Sequence, residues 1–180
     1  MKHKKILLII PAYNEEKSIL DTVNTIIDYN KKNNTNYDYV VINDGSKDNT
    51  YEIALENQKQ HDNIVLLRNP HNMGLNQTLN NCLAVAKGEY IARMDGDDLC
   101  NPTRFEKQVK FLDEHPEYAI VSTPMLYFDE NGVFGKGTAR EGEASKEVFN
   151  TGTPFCHAPC MVRKEAYDKV GGYTVDKRST

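Results

Sequence analysis

The sequence predicts an open, mostly parallel, twisted α/β sheet with helices on both faces, and three observations carry that reading. Ile6 to Ile10 is an unbroken apolar run, as expected of a central strand buried on both faces. Four strand-then-helix alternations follow one another before residue 100, the pattern of parallel strands joined by right-handed helical crossovers. Carboxylates, amides and glycines gather after the strands, at Pro11 to Glu15, Asn43 to Asp48 and Asp95 to Asp98, where sheets of this type bind ligands.

The elements follow in order. After the first strand, Asn14 stands as the N-cap of a helix with Glu15 and Glu16 in its opening turn and Ile19, Leu20, Val23, Ile26 and Ile27 on one face. Tyr37 to Ile42 forms the second strand, and the turn Asn43 to Asp48 leads into a helix over Thr50 to Gln60. Ile64 to Leu67 is the third strand. Asn72-Met73-Gly74 opens a helix whose core face is Leu75, Leu79, Cys82, Leu83 and Ala86, closed by Gly88. Tyr90 to Met94 is the fourth strand and delivers Asp95-Gly96-Asp97-Asp98. Asn101-Pro102 supplies an N-cap and first helical residue for a helix burying Phe105, Val109 and Leu112. Ala119 to Ser122 is a fifth strand. A hairpin turns at Asp129 to Gly132, between Met125 to Phe128 and Val133-Phe134, and a flexible stretch follows over Gly135 to Gly142. The glycine- and proline-bearing segment Thr151 to Cys160 precedes a short strand at Met161-Val162.

The acidic cluster is the chemical centre of this reading. If the strand stays extended, Asp95 and Asp97 share one side and Asp98 takes the other. Two carboxylates ~5 Å apart repel by roughly 3 kcal/mol at an effective dielectric near 20, so a cation is expected among them. Oxygen-only ligation with few carboxylates favours Mg²⁺ or Mn²⁺, completed by water and substrate phosphate. A calcium loop from Asp95 to Glu106 fails, because Cys100 stands where a glycine is needed and Leu99 where a ligand oxygen belongs. An aspartyl-phosphatase loop fails because Arg93 replaces its first carboxylate.

Composition narrows the partners. A chain of 180 residues, 39% hydrophobic and 27% charged, suits one globular domain with a sizeable core. The net charge of −4, with dispersed Lys and Arg, offers no basic stripe, so no nucleic-acid partner is expected. The start Lys2 to Lys5 before Ile6 to Ile10 imitates a signal peptide, but its apolar run is too short and ends at Pro11. No run approaches the roughly 20 residues of a membrane span, so this portion is expected to be soluble, in a cytoplasmic protein that can associate peripherally with the inner membrane face. Cys82, Cys100, Cys156 and Cys160 are expected as free thiols, and Cys156-His157-x-x-Cys160 lacks a fourth zinc ligand. Neither a G-x-G-x-x-G nor a P-loop motif occurs.

The motifs P-A-Y-N-E-E at 11 to 16, N-D-G-S-K-D-N-T at 43 to 50, N-M-G-L at 72 to 75 and A-K-G-E-Y-I-A-R-M-D-G-D-D at 86 to 98 resemble those of the family 2 inverting glycosyltransferases, in order and spacing. P-F-C-H at 154 to 157, M-V-R-K at 161 to 164 and G-G-Y at 171 to 173 extend the resemblance over nearly the whole chain. The resemblance implies the GT-A (Rossmann-like) fold. It also implies a nucleotide-sugar donor, a UDP-sugar first, and a saccharide or lipid-linked acceptor in polysaccharide or glycolipid synthesis. Pro11, Ala12, Tyr13, Asn14 and Glu15 would border the nucleotide, with Tyr13 against its base and Asp44 accepting from uracil N3–H. Asn72 and Gly74 would also contact the nucleotide, Asp95 would approach ribose or diphosphate, and Asp97 would coordinate Mn²⁺ or Mg²⁺. Asp98 and His157 would face the acceptor. The chain departs from the family pattern at Asn43, usually Asp, and at Leu79, often Arg.

By the same resemblance residues 1–100 are the nucleotide-binding half and 101–180 the start of the acceptor-binding half. The general base belongs to an acidic pair past the G-G-Y motif and is expected beyond Thr180, Asp176 being too close to the glycines. Two rivals remain at this point. A sugar-phosphate nucleotidyltransferase would want a glycine-rich basic loop after the first strand, whereas Pro11 to Glu16 is acidic. A nucleotide-sugar-binding module without turnover would differ only in lacking that base.

Overall fold

The computed structural model describes residues 6–35, 37–137 and 155–175. Its elements are β1 (Ile6–Ala12), α1 (Ile19–Asn33), β2 (Asp38–Asn43), α2 (Thr50–Gln60), β3 (Ile64–Arg68), α3 (Leu75–Val85) and β4 (Tyr90–Arg93), then α4 (Arg104–Glu114), β5 (Ile120–Val121), β6 (Leu126–Asp129), β7 (Gly132–Lys136), β8 (Met161–Arg163) and α5 (Lys164–Val170). The main sheet has six strands in the order β3-β2-β1-β4-β8-β5. β1 pairs in parallel with β2 and β4, and β2 with β3. β8 runs antiparallel to both β4 and β5, so the late strand inserts between two earlier ones.

The apolar run of β1 explains its central place, since its side chains alternate between two cores. Ile6, Leu8 and Ile10 pack with Ile19, Val23 and Ile26 of α1 and Phe105 and Leu112 of α4. Leu7 and Ile9 pack on the opposite face with Leu79 and Cys82 of α3, flanked by Tyr167 of α5. Helices therefore cover both faces of the sheet. The hairpin β6–β7 is separate, and Leu126, Phe128, Val133 and Phe134 on it are exposed. No helix among the described residues is long and apolar enough to cross a membrane.

Four local expectations need correction. The helix α1 starts at Ile19 rather than after Asn14, because Glu15 O accepts from Ser18 N and Ile19 N and forms a separate turn; Leu20 faces solvent. In α3, Leu75 is 42% exposed and lies on the cleft side, and the helix ends at Val85, before Gly88. The residue at the N-cap of α4 is Thr103, since Asn101 Oδ1 folds back to accept from Thr103 N and Oγ1 in a turn of its own. After β4 the backbone does not stay extended: Asp98 N donates to Asp95 O at 3.2 Å, turning the chain through the acidic cluster. Lys2 to Lys5, the end of the Gly135 to Gly142 stretch, Thr151 to Pro154 and Asp176 lie outside the described residues.

Candidate donor-binding site

The carboxyl ends of β1, β2 and β4 meet at a cleft of about 310 Å³. Pro11, Ala12, Tyr13 and Glu15 line it from β1, Asp44 from β2, Asn72, Leu75 and Thr78 from the start of α3, and Arg93, Asp95, Gly96 and Asp97 from β4. Of the residues expected at the nucleotide, Asn14 and Gly74 are not in this lining. Asp98 and His157, expected on the acceptor side, are not in it either.

Two loops are stitched together under the cleft. Asn14, in a left-handed conformation with φ 58°, receives Lys47 N on its Oδ1 and donates its own N–H to Ser46 Oγ. Glu15 N donates to Thr50 Oγ1 at 2.8 Å and Glu16 N to Asp48 Oδ2 at 3.2 Å. These bonds hold Tyr13, 40% exposed, at the rim. Asn43 Oδ1 accepts from Gly45 N and Ser46 N, so an amide closes this turn as well as a carboxylate would. Gly45, at φ +70°, passes so close to His71 and Asn72 that an added Cβ would lie 2.3 Å from the His71 carbonyl carbon. Asn72 Oδ1 in turn accepts from Gly74 N, and Gly74, at φ 79°, starts α3.

Asp44 is 6% exposed and bonded inside the protein, its Oδ1 accepting from Asn69 Nδ2 at 2.7 Å and Met73 N at 2.8 Å. Asp95 is held differently. Arg93, only 5% exposed, donates through Nη2 to Asp95 Oδ1 at 2.8 Å and Oδ2 at 3.1 Å. Arg93 thus supplies part of the positive charge that the acidic cluster demands. Its Nε is buried without a hydrogen-bond partner among the described residues. Arg93 Nη1 contacts His157 Nδ1; a guanidinium only donates, so Nδ1 accepts and the ring proton is assigned to Nε2. Burial, then the Arg93 charge, lower the His157 pKa, with Asp95 opposing. The His157 ring lies 5.5 Å from Tyr173, whose hydroxyl bonds to Tyr167 at 2.6 Å.

Asp97 is exposed, and no side chain among the described residues pairs with it. Asp98 is half-buried; burial, then the Asp95 and Asp97 charges, raise its pKa against Arg104 and Arg93. Among the described residues no group of three or more His, Cys, Asp or Glu converges as a metal cage. All four cysteines are free. An unpaired Asp97 beside a neutralised Asp95 fits a hard cation that arrives with phosphate oxygens and keeps its waters. Sequence reasoning missed Arg93 and Asn69. An arginine inside the apolar run Tyr90 to Met94 was the available signal, because a charge buried in a central strand needs a partner.

An open α/β sheet covered on both faces, with this cleft at its strand ends, places the chain in the GT-A fold class. Solved structures share the architecture, among them the following two. The mannosyltransferase PcManGT from Pyrobaculum calidifontis, in complex with GDP-Man and Mn²⁺, superposes with a TM-score of 0.71 at 22% identity over 97% of this chain and 49% of that one. TarS of S. aureus, in complex with UDP-GlcNAc, gives 0.64 at 22% identity over 95% of this chain and 48% of that one. Residues 7–171 match the Glycosyl transferase family 2 model, and the chain belongs to that family. The putative glycosyltransferase EpsE of Bacillus subtilis (strain 168) is 40% identical over 178 residues, 97% of this chain and 62% of EpsE. The chain therefore spans less than two thirds of that relative.

Proposed function

We propose that this chain forms the donor-binding core of a metal-dependent inverting glycosyltransferase. The sugar comes from a nucleotide sugar, a UDP-sugar first, and goes to a saccharide or lipid-linked acceptor in polysaccharide or glycolipid assembly at the cytoplasmic side. The observation that carries this reading is the convergence of Tyr13, Asp44, Asp95 and Asp97 on one cleft of nucleotide size. The family membership and the nucleotide sugars named with the two structural neighbours support it.

In this reading Tyr13 lies against the base, Asp44 accepts a base N–H, and Pro11, Ala12, Glu15 and Asn72 close the sides of the nucleotide pocket. Asn14 and Gly74 act through the loops they hold. Asp95, fixed on both oxygens by Arg93, accepts from ribose hydroxyls, and Asp97 holds Mn²⁺ or Mg²⁺. The ion, when bound, supplies charge neutralisation for the departing nucleoside diphosphate. Residues 1–100 make the nucleotide half, and Asp98 and His157 begin the acceptor half. His157, with Nδ1 turned to Arg93, serves as a hydrogen-bond donor through Nε2 and not as the base. None of the cleft carboxylates is assigned as general base: Asp95 is tied to Arg93, Asp97 faces the metal, Asp44 faces the nucleobase and Glu15 accepts from Ser18 Oγ.

Calorimetric titration with UDP and GDP, with and without Mn²⁺, tests the reading. The expected result is Mn²⁺-dependent binding that Asp97→Ala abolishes while the melting temperature without nucleotide stays unchanged, since one of several repelling carboxylates is removed. Undiminished UDP affinity of Asp97→Ala in Mn²⁺ would remove Asp97 as a ligand, and absence of nucleotide binding by the unmodified chain would end the proposal.

A further inference from the structure

Polar groups behind the cleft, buried at Asp44, Asn69 and Thr78 and half-buried at Asn81 and Gln77, form a chain with one direction. Asn69, just past β3 and 4% exposed, donates from Nδ2 to Asp44 Oδ1 at 2.7 Å and to Thr78 Oγ1 at 2.8 Å. Its Oδ1 accepts from Asn81 Nδ2 at 2.8 Å, and Asn81 Oδ1 accepts from Gln77 Nε2 at 3.0 Å. The polarity follows from the carboxylate. An ionised Asp44 only accepts, so Asn69 must turn its NH₂ toward it. The Asn69 oxygen then faces Asn81, which must present its own NH₂, and the Asn81 oxygen is left for Gln77. Three amides therefore point their donors toward Asp44, and bonds aligned in this way polarise one another.

We propose that Asn69 is a positioning residue that sets the nucleobase preference of the donor site by fixing Asp44, an inference that rests on the donor-site reading above. With Asn69 and Met73 N both on Oδ1, that oxygen has its two acceptor positions filled. Among the described residues no donor bonds Oδ2, so Oδ2 is the oxygen presented to a ligand. The carboxylate cannot swing to offer another edge without breaking both bonds, the one from Asn69 fully buried. The base edge therefore meets an acceptor held in one place. Uracil N3–H and guanine N1–H satisfy such an acceptor; cytosine N3 brings a lone pair against it.

The test measures dissociation constants for UDP and CDP in Mn²⁺, because the two share ribose and diphosphate. The unmodified protein is expected to favour UDP by about tenfold or more, the scale of one charge-assisted hydrogen bond. Asn69→Ala should bring the ratio below about threefold by weakening UDP while CDP affinity stays within about twofold, a pattern that general loss of structure would not give. Asn69→Leu, close to isosteric and without a donor, gives the same reading if the alanine variant does not fold. A preference for UDP kept in either folded variant overturns the role of Asn69 while leaving the donor site standing. Equal, measurable affinity for UDP and CDP in the unmodified protein overturns the role of Asn69 and the base contact at Asp44 while leaving the donor site standing, and binding of neither nucleotide overturns the donor site as well.

Discussion

The loops after β2 and β4 both carry carboxylates into one cleft, and the protein stabilises them by opposite means. After β2, Asp44 is nearly buried and satisfied by neutral donors, the Asn69 amide and the Met73 backbone. After β4, Asp95 remains one-third exposed and is balanced by a full charge, the buried Arg93 guanidinium. Neutral, directional bonds fix an oxygen in position, which suits recognition of a planar base edge. A charge cluster with one carboxylate left over suits an ion and a diphosphate, whose positions depend on each other. The β2 wall of the cleft is therefore held by bonds within the protein, whereas the β4 wall leaves Asp97 without a side-chain partner among the described residues.

The largest effect is expected of Gly45→Ala, in the β2 wall of the cleft. A methyl group there meets the backbone of His71 and Asn72, and the turn holds the residue at a left-handed φ of +70° that alanine adopts only under strain. We expect a cost of about 3 kcal/mol or more in denaturant unfolding, combining backbone strain with overpacking. A loss below about 1 kcal/mol would show that the β2 loop yields and is not rigid.

Arg93→Met probes the other wall by removing the charge and keeping much of the volume. The expected loss is about 2 to 3 kcal/mol, below the ~3 to 5 of a fully buried broken pair because water reaches Asp95. An unchanged denaturation midpoint would mean that solvent alone sustains Asp95, and the contrast between the two loops would fail.

The smallest expected effect is a pH dependence through His157. Burial and Arg93 hold its pKa below the ordinary 6.5, so the folded protein binds this proton less readily than the unfolded chain. The sign follows: the contribution to stability is full above pH 6.5 and is lost as pH falls toward the depressed folded value. His157→Gln should flatten the stability profile between pH 7 and pH 5 relative to the unmodified protein. Parallel profiles for the two would remove His157 from contact with the Arg93 charge.

Much of the framework was legible because it is written in short-range pattern. The apolar run Ile6 to Ile10 marked the central strand, α2 fell at Thr50–Gln60 as expected, and the hairpin turn at Asp129 to Gly132 was visible in its residues. Tyr13, Asp44, Asp95 and Asp97, which follow β1, β2 and β4 in the sequence, line one cleft, since parallel strands bring their carboxyl ends to one edge. Other features turned on contacts between residues far apart in the chain. The place of β8 between β4 and β5 depends on sheet pairing, and Asn14 became a left-handed loop residue because Ser46 and Lys47 lie beside it. The two groups that hold the site carboxylates, Arg93 and Asn69, look like an interruption of a strand and an ordinary loop residue until the fold brings His157, Asp44 and Asn81 to them. By itself the sequence determined which segments are buried strands and which edge of the sheet collects the chemistry, because apolar periodicity acts locally. Which carboxylate is balanced by a guanidinium, which is fixed by an amide and which stays unpaired among the described residues rests on the fold, because a buried charge or hydrogen bond is satisfied by whatever lies next to it in space.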